Sequence, residues 1–267
     1  PIQGELSLPG DKSITHRALI FNAFANGKAT ISGLLDSGDT RSTAHCLQAL
    51  GAKVHWQGSQ ATVVGCAGVF NEPDVPLDCG NSGTTIRLLS GLLSTQSMLT
   101  ILTGDDSLRS RPMRRIVEPL RQLGAEVDGR INGTRAPLVI RGRELNGGQI
   151  HSPIASAQVK TAVLLAGLGC VDAIHFSEPH KSRDHSERML EAMGVKIQVT
   201  KDGLQMNGRQ SLQATSLHVP GDISSAAFFL VAASIVPNSD LILRNVGLNP
   251  TRTGIIDVLK SMGADIT

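Results

Sequence analysis

At 267 residues, of which 40% are apolar, the chain is long enough to bury a sizeable core and too hydrophobic to be disordered. Its 25 basic and 23 acidic side chains leave a formal net charge of +2, which excludes nucleic-acid binding by bulk electrostatics and assigns any anion recognition to local clusters. Four isolated cysteines have neither zinc-site pairing nor disulfide-scaffold density, and no apolar run is long enough for a membrane span. The expectation is a cytoplasmic protein without metal, cofactor, nucleic-acid or membrane partner.

The first motif is Leu8-Pro-Gly-Asp-Lys-Ser-Ile-Thr-His-Arg-Ala-Leu19. Pro9 and Gly10 end an extended run, and Asp11, Lys12 and Ser13 stand at the start of an apolar helix over 14–24, where free backbone N–H groups attract anions. Ser13 and Arg17 are four apart, so a hydroxyl and a guanidinium share one helix face beside Lys12. Ordinary capping explains an acidic or hydroxyl residue there equally well. A strand over 29–31 follows, and then Asp39-Thr-Arg-Ser42, where Asp39 either caps a helix or pairs with Lys12 or Arg41. His16 and His45 read as structural residues.

Leu77-Asp-Cys-Gly-Asn-Ser-Gly-Thr-Thr-Ile-Arg-Leu88 then runs from a short strand into a second apolar helix, 84–93. Gly80 and Gly83 leave backbone N–H groups unobstructed, and Arg87 is placed to grip a phosphate over the helix start; the alternative is a tight packing turn with a surface Arg. After a strand at 99–102, Gly104 to Arg115 packs four arginines into seven residues. Arg111 precedes Pro112, which is expected at the first helical position, while Arg114 and Arg115 face water. The tract lacks the interleaved aromatics a nucleic-acid binder would use.

Ser152-Pro-Ile-Ala-Ser-Ala-Gln-Val-Lys160 opens a third apolar helix, 159–168, with Ser156 and Gln158 available to ligand oxygens and Lys160 expected to snorkel to water. Beyond a strand at 173–176, Glu178-Pro-His-Lys-Ser-Arg-Asp-His185 is either a second basic helix start around Arg183 or a salt-bridged cap. Pro220-Gly-Asp-Ile-Ser-Ser225 and Asn249-Pro-Thr-Arg-Thr-Gly254 repeat the two kinds of helix start, with ligand contact and capping equally open.

These segments form a four-fold repeat. Leu47 to Ala52, Leu120 to Ala125, Leu190 to Val195 and Leu259 to Ala264 each close a helix on a glycine, and Gly51, Gly124, Gly194 and Gly263 are spaced by 73, 70 and 69 residues. The fold class is α/β (α+β), with repeated βαβαββ modules packed around shared helices. Three modules make a first domain, 11–216. The fourth, 217–267, is expected either to begin a second domain that further modules would finish after Thr267, or to pack onto the other three.

Leu8 to Arg17, Gly80 to Arg87, Ser110-Arg-Pro-Met113, Ser156-Ala-Gln158 and Asn249 to Gly254 together closely resemble the 5-enolpyruvylshikimate-3-phosphate synthase (3-phosphoshikimate 1-carboxyvinyltransferase) family, in its Gram-positive bacterial type. The resemblance spans the whole chain. It implies an enolpyruvyl transferase-like fold in which residues 1–10 give a strand to the second domain, and a cytoplasmic monomer of the shikimate pathway for aromatic amino-acid biosynthesis. It also implies enolpyruvyl transfer from phosphoenolpyruvate to the 5-hydroxyl of shikimate-3-phosphate. Lys12, Gly83, Arg87, Arg111 and Gln158 would contact phosphoenolpyruvate; Ser13, Arg17, Ser156, Ala157, Gln158 and Arg183 would contact shikimate-3-phosphate. Lys12 would assist catalysis, with the principal Asp and Glu beyond Thr267, so that the chain alone is expected to be inactive and open to complementation by a carboxy-terminal segment. Glycine at 83 implies sensitivity to glyphosate. The alternatives are the related transferase acting on UDP-N-acetylglucosamine, which usually has Lys-Asn where this chain has Lys12-Ser13, and a non-catalytic anion-binding repeat module.

Overall fold

In the computed structural model, which describes residues 1–267, each sequence repeat becomes a structural unit. After β1 (Gln3–Ser7), the first comprises α1 (Lys12–Phe24), β2 (Lys28–Ser32), α2 (Gly38–Ala49), β3 (Lys53–Gln57) and β4 (Gln60–Val64). The second comprises β5 (Leu77–Asp78), α3 (Gly83–Leu93), β6 (Leu99–Thr103), α4 (Asp106–Ser110), α5 (Arg114–Gln122), β7 (Glu126–Gly129), the tight turn α6 (Arg130–Gly133) and β8 (Arg135–Arg141). The third comprises β9 (Gly148–His151), α7 (Ala157–Gly167), β10 (Ile174–Ser177), α8 (His185–Ala192), β11 (Ile197–Thr200) and β12 (Gly203–Met206). After these come β13 (Leu217–His218), α9 (Ile223–Ile235), β14 (Asp240–Arg244) and α10 (Gly254–Ser261).

Three four-stranded sheets share one order: an incoming strand parallel to a central one, then two antiparallel strands. They are β13-β2-β4-β3, β5-β6-β8-β7 and β9-β10-β12-β11. In the first, the incoming strand comes from far along the chain: Leu217 pairs with Ile31 and His218 with Ser32. In exchange β1, which precedes α1 in sequence, pairs in parallel with β14, Gln3 opposite Asp240. The two chain crossings that this exchange requires meet antiparallel. Asp11 N–H donates to Pro220 O at 2.8 Å, and Asp222 N–H donates to Pro9 O at 3.0 Å. Both crossings read Pro-Gly-Asp, and each Asp caps the helix that follows, Asp11 accepting from Ile14 N and Asp222 from Ser224 N.

The apolar helices read from sequence are the shared ones. α1, α3 and α7 are buried along most of their length, and their apolar side chains belong to one continuous core that reaches from Ala18 to Val219. α3 and α7 cross so closely that a Cβ on Gly91 would lie 2.1 Å from Ala162 O. The four closing glycines all adopt the left-handed conformation that a side chain resists, with φ between +94° and +97°. Beyond Val219 the only buried apolar residues are Ile223, Ala226 and Leu259, none of them in that core.

Two expectations fail. Pro112 is not at a first helical position, because Asp105 caps the short α4 by accepting from Leu108 N, and α5 starts only at Arg114. Arg111 therefore lies in the link between two helices, extended at φ −74°, ψ 146° as a residue before proline prefers. Lys160 does not snorkel: it is 1% exposed, held between Glu178 and Glu187.

Candidate active site

The starts of α1, α3 and α7 approach one another and are joined pairwise, Gln158 of α7 bonding Arg87 and Thr84 of α3, and Arg17 of α1 bonding Thr161 and Ala157 of α7. Ser82 caps α3 by accepting from Thr85 N at 3.1 Å, which leaves Gly83 at the first helical position. A Cβ on Gly83 would meet Arg87 Nη1 at 3.0 Å and Arg111 Nη1 at 3.3 Å, so the missing side chain leaves room for two guanidiniums over the helix start. Gln158, in the first turn of α7, accepts from Arg87 Nη1 at 2.7 Å and donates to Thr84 Oγ1 at 2.9 Å. Arg111 donates from Nη2 to Asn81 Oδ1, and Asn81 donates to Asp105 Oδ2 at 2.7 Å.

Arg87 is buried, with no partner for its Nε, and burial together with Arg115 and Arg111 pushes its pKa down to about 10. A guanidinium in that state lacks a counter-charge, which a bound anion would supply.

The second anion-complementary group lies at the start of α1. Arg183 Nη1 donates to Ser13 Oγ at 3.1 Å; its burial beside Arg252 lowers its pKa, with Asp11 and Asp222 acting the other way. Lys12 Nζ pairs with Asp39 Oδ2 at 2.5 Å while remaining 46% exposed. This decides between the alternatives for Asp39, since Arg41 turns instead to Asp36 at 2.6 Å and stacks 4.3 Å over Trp56.

Arg17 has a different character. Its guanidinium is 2% exposed and donates to Ser186 Oγ at 2.7 Å, Ser13 O at 2.9 Å, Thr161 Oγ1 at 2.7 Å and Ala157 O at 3.4 Å. Its pKa is pushed down to about 10, first by burial and then by Arg183. It joins α1, α7 and α8 from within. Ser156 caps α7, but its hydroxyl accepts from Val159 N only at 3.5 Å. Ala157 offers its backbone alone.

Every sequence-nominated residue thus belongs to one region: Lys12, Ser13, Arg17 and Arg183 on one side, Gly83, Arg87 and Arg111 on the other, with Ser156, Ala157 and Gln158 between. Sequence reading missed the buried partners. Thr43 Oγ1 bonds both His16 Nδ1 at 2.7 Å and Thr85 Oγ1 at 2.6 Å, linking α1, α2 and α3. Thr161 and Ser186 hold Arg17, and Glu178 and Glu187 hold Lys160. Of these only Glu178 lay in a tract whose charge hinted at such a cap.

Repeated βαβαββ units packed around shared helices, with a glycine-opened helix start and unneutralised arginines where α1, α3 and α7 approach one another, define the enolpyruvyl-transferase-like class of fold. The sequence profile of EPSP synthase (3-phosphoshikimate 1-carboxyvinyltransferase) matches residues 1–267, and the chain belongs to that family. It is 53% identical over 270 residues to the 3-phosphoshikimate 1-carboxyvinyltransferases of Bacillus cereus strain G9842 and, likewise at 53%, Bacillus thuringiensis strain Al Hakam. All of the chain is matched in both, and it spans 62% of the length of these relatives. The solved EPSP synthase of Acinetobacter baumannii superposes with a TM-score of 0.93 at 42% identity, over the whole of this chain and 60% of that one.

Proposed function

We propose that this chain forms part of an enzyme that transfers the enolpyruvyl group of phosphoenolpyruvate to the 5-hydroxyl of shikimate-3-phosphate, releasing phosphate. The observation that carries the proposal is the pair of adjoining anion-complementary groups, Arg87 with Arg111 over Gly83, and Ser13 with Arg183, tied through the first turn of α7. Phosphoenolpyruvate is assigned to Lys12, Gly83, Arg87, Arg111 and Gln158. Shikimate-3-phosphate is assigned to Ser13, Ser156, Gln158, Arg183 and the Ala157 backbone. Arg17 serves that site by fixing Ser13 and Ala157 through their carbonyls.

The 5-hydroxyl oxygen adds to C2 of phosphoenolpyruvate while the methylene carbon gains a proton. Loss of phosphate and of a proton from the resulting methyl group then restores the double bond. The arginines stabilise the phosphate as charge moves onto it, and Lys12 assists as acid or charge stabiliser. The acids near Lys12 are engaged: Asp39 with Lys12 itself, Asp11 and Asp222 as helix caps paired with Arg252. The proton-transferring carboxylates are assigned to the part of the longer relatives outside the match. Turnover by the 267-residue chain alone is therefore expected at least about a hundredfold below that of a full-length relative. That segment of a relative, added in trans, is expected to raise it.

Residues 11–216 form the first domain on this reading, 217–267 begin the second, and β1 belongs with the latter. The working enzyme is a cytoplasmic monomer. No helix is long and apolar enough to cross a membrane, and all four cysteines are unpaired. Calorimetric titration of the purified chain tests the substrate assignment. Saturable binding of shikimate-3-phosphate, not reproduced by UDP-N-acetylglucosamine or inorganic phosphate, is the expected result. Preference for the nucleotide sugar would make it the related transferase, and equal response to all three would make it a generic anion binder.

A further inference from the structure

Three elements that meet at the proposed acceptor site are locked by one buried ionic node that reaches the site through the backbone N–H of Ser156. Lys160, on the second turn of α7, places its ammonium 3.2 Å from Glu178 Oε1, 2.7 Å from Glu187 Oε1 and 3.2 Å from the carbonyl of Ser182. The two acids are not equivalent. Glu187 makes only the contact to Lys160, and its second oxygen is buried without a partner. Glu178 uses both oxygens. Oε1 accepts the N–H and hydroxyl of Ser182, each at 2.7 Å, and Oε2 accepts the backbone N–H of Ser156 at 3.1 Å.

Ser156 is the cap of α7, and Ser182 is bonded directly to Arg183. One carboxylate therefore holds two backbone positions that come from different elements, β10–α8 and α7, with Lys160 supplying the charge that makes its burial tolerable. Neither Ser156 nor Arg183 has comparable anchoring elsewhere. The hydroxyl of Ser156 bonds its own helix only at 3.5 Å, and the Arg183 side chain makes a single hydrogen bond, to Ser13.

We infer that Glu178 is a positioning residue that sets the spacing between Ser156 and Arg183 and so confers selectivity for the phosphate group of the acceptor. The inference rests on the acceptor assignment made above. A glutamine at 178 fills the same space but carries one acceptor oxygen, so its amide nitrogen must face either the Ser156 N–H or the three donors around Oε1. The first arrangement costs least and releases Ser156. Glu187→Gln perturbs the same ammonium to a similar degree and leaves both serines held, which makes it the control.

The experiment measures dissociation constants of the full chain for shikimate-3-phosphate and for shikimate, which has the same ring without the phosphate, with circular dichroism as a check on folding. The ratio of the two constants is the readout, because general loosening lowers both affinities together. Glu178→Gln is expected to weaken shikimate-3-phosphate about tenfold and shikimate less than about twofold, as loss of charge-assisted hydrogen bonds at one end of the ligand would do. Glu187→Gln is expected to keep the wild-type ratio. Ser182→Ala removes one of the Glu178 bonds without burying an unpaired charge, and shifts the ratio about threefold in the same direction; it decides the matter if Glu178→Gln does not fold. A wild-type ratio in Glu178→Gln, or in Ser182→Ala where that variant decides, overturns the inference, as does an equal collapse in Glu187→Gln. Wild-type protein that binds both ligands equally overturns the acceptor assignment, and the inference with it.

Discussion

α7 and α9 are both apolar helices capped by a polar side chain, yet nine of the eleven residues of α7 are buried and only Ile223 and Ala226 of the thirteen in α9. α7 packs against α3, α5 and β10. α9 meets β14 and α10, and leaves Phe228 at 78% and Ile235 at 74% exposure. Hydrophobicity all round a helix is a property of its sequence, whereas cover is a property of its neighbours. The same contrast separates the charges: Lys160 is sealed in its node, while Arg252, which bridges the two Pro-Gly-Asp caps at 3.8 Å from Asp11 and 3.7 Å from Asp222, keeps 14% exposure.

Lys160→Met should break the comparison most severely, since it leaves two carboxylates buried without their cation. Urea unfolding should show about 3–5 kcal/mol lost, against about 1 kcal/mol for Arg252→Met at its partly solvated site. Equal losses would mean that water reaches the Lys160 node. Next in size is truncation of the apolar helices. Leu164→Ala, at a wholly buried position of α7, should cost about 2–5 kcal/mol, whereas Phe228→Ala on α9 should change stability by less than about 0.5 kcal/mol.

The repeat was legible because its marks are local. A glycine closing a helix, a polar cap before an apolar run and an alternating strand all lie within a few residues, and the observed elements fall within a few residues of those positions. The short α4 was missed because Asp105 reads as one more loop acid in Gly104 to Arg115 until its bond to Leu108 N is seen. At the candidate site, residues bearing charge or a missing side chain can be nominated from sequence; their supports cannot. Thr43 and Thr85 are 42 positions apart, and Arg17 and Ser186 are 169 apart. Nothing in the sequence around a buried threonine marks which distant hydroxyl it will meet. Lys160 was misread for a related reason: lysine in an apolar helix ordinarily reaches for water, and only the fold brings Glu178 and Glu187 to it.

Acid should attack the three-unit core through its histidines. His16 is wholly buried, and burial foremost pushes its pKa down to about 3, with Asp39 opposing and Arg17 and Lys12 assisting. Burial, followed by Arg17 and Arg252, takes His185 down to about 4. Above pH 6.5 both rings are neutral whether the chain is folded or not, so neither affects stability. Below it the unfolded chain gains protons that the folded one refuses, and stability falls by about 1.4 kcal/mol per pH unit for each ring until the folded values are reached. Between pH 6 and 5, before carboxylates add their own slope, His16→Gln should remove about half of the decline in the urea midpoint. An unchanged slope would show that His16 takes up its proton in the folded state.

Glycines at two helix starts sharpen the comparison at the level of function rather than stability. A Cβ at Gly254 would meet nothing within 4 Å, so Gly254→Ala at the start of α10 should be silent. At Gly83 the atoms in the way are the far ends of Arg87 and Arg111, flexible groups that yield without unfolding the helix. They yield by moving, however, and their placement is what the proposed phosphoenolpyruvate site consists of. Gly83→Ala should therefore match the wild type in thermal unfolding yet bind phosphoenolpyruvate about tenfold more weakly in calorimetry with shikimate-3-phosphate present. Undiminished binding would mean that the guanidiniums can hold the ligand from displaced positions, and that the glycine serves the turn instead of the site.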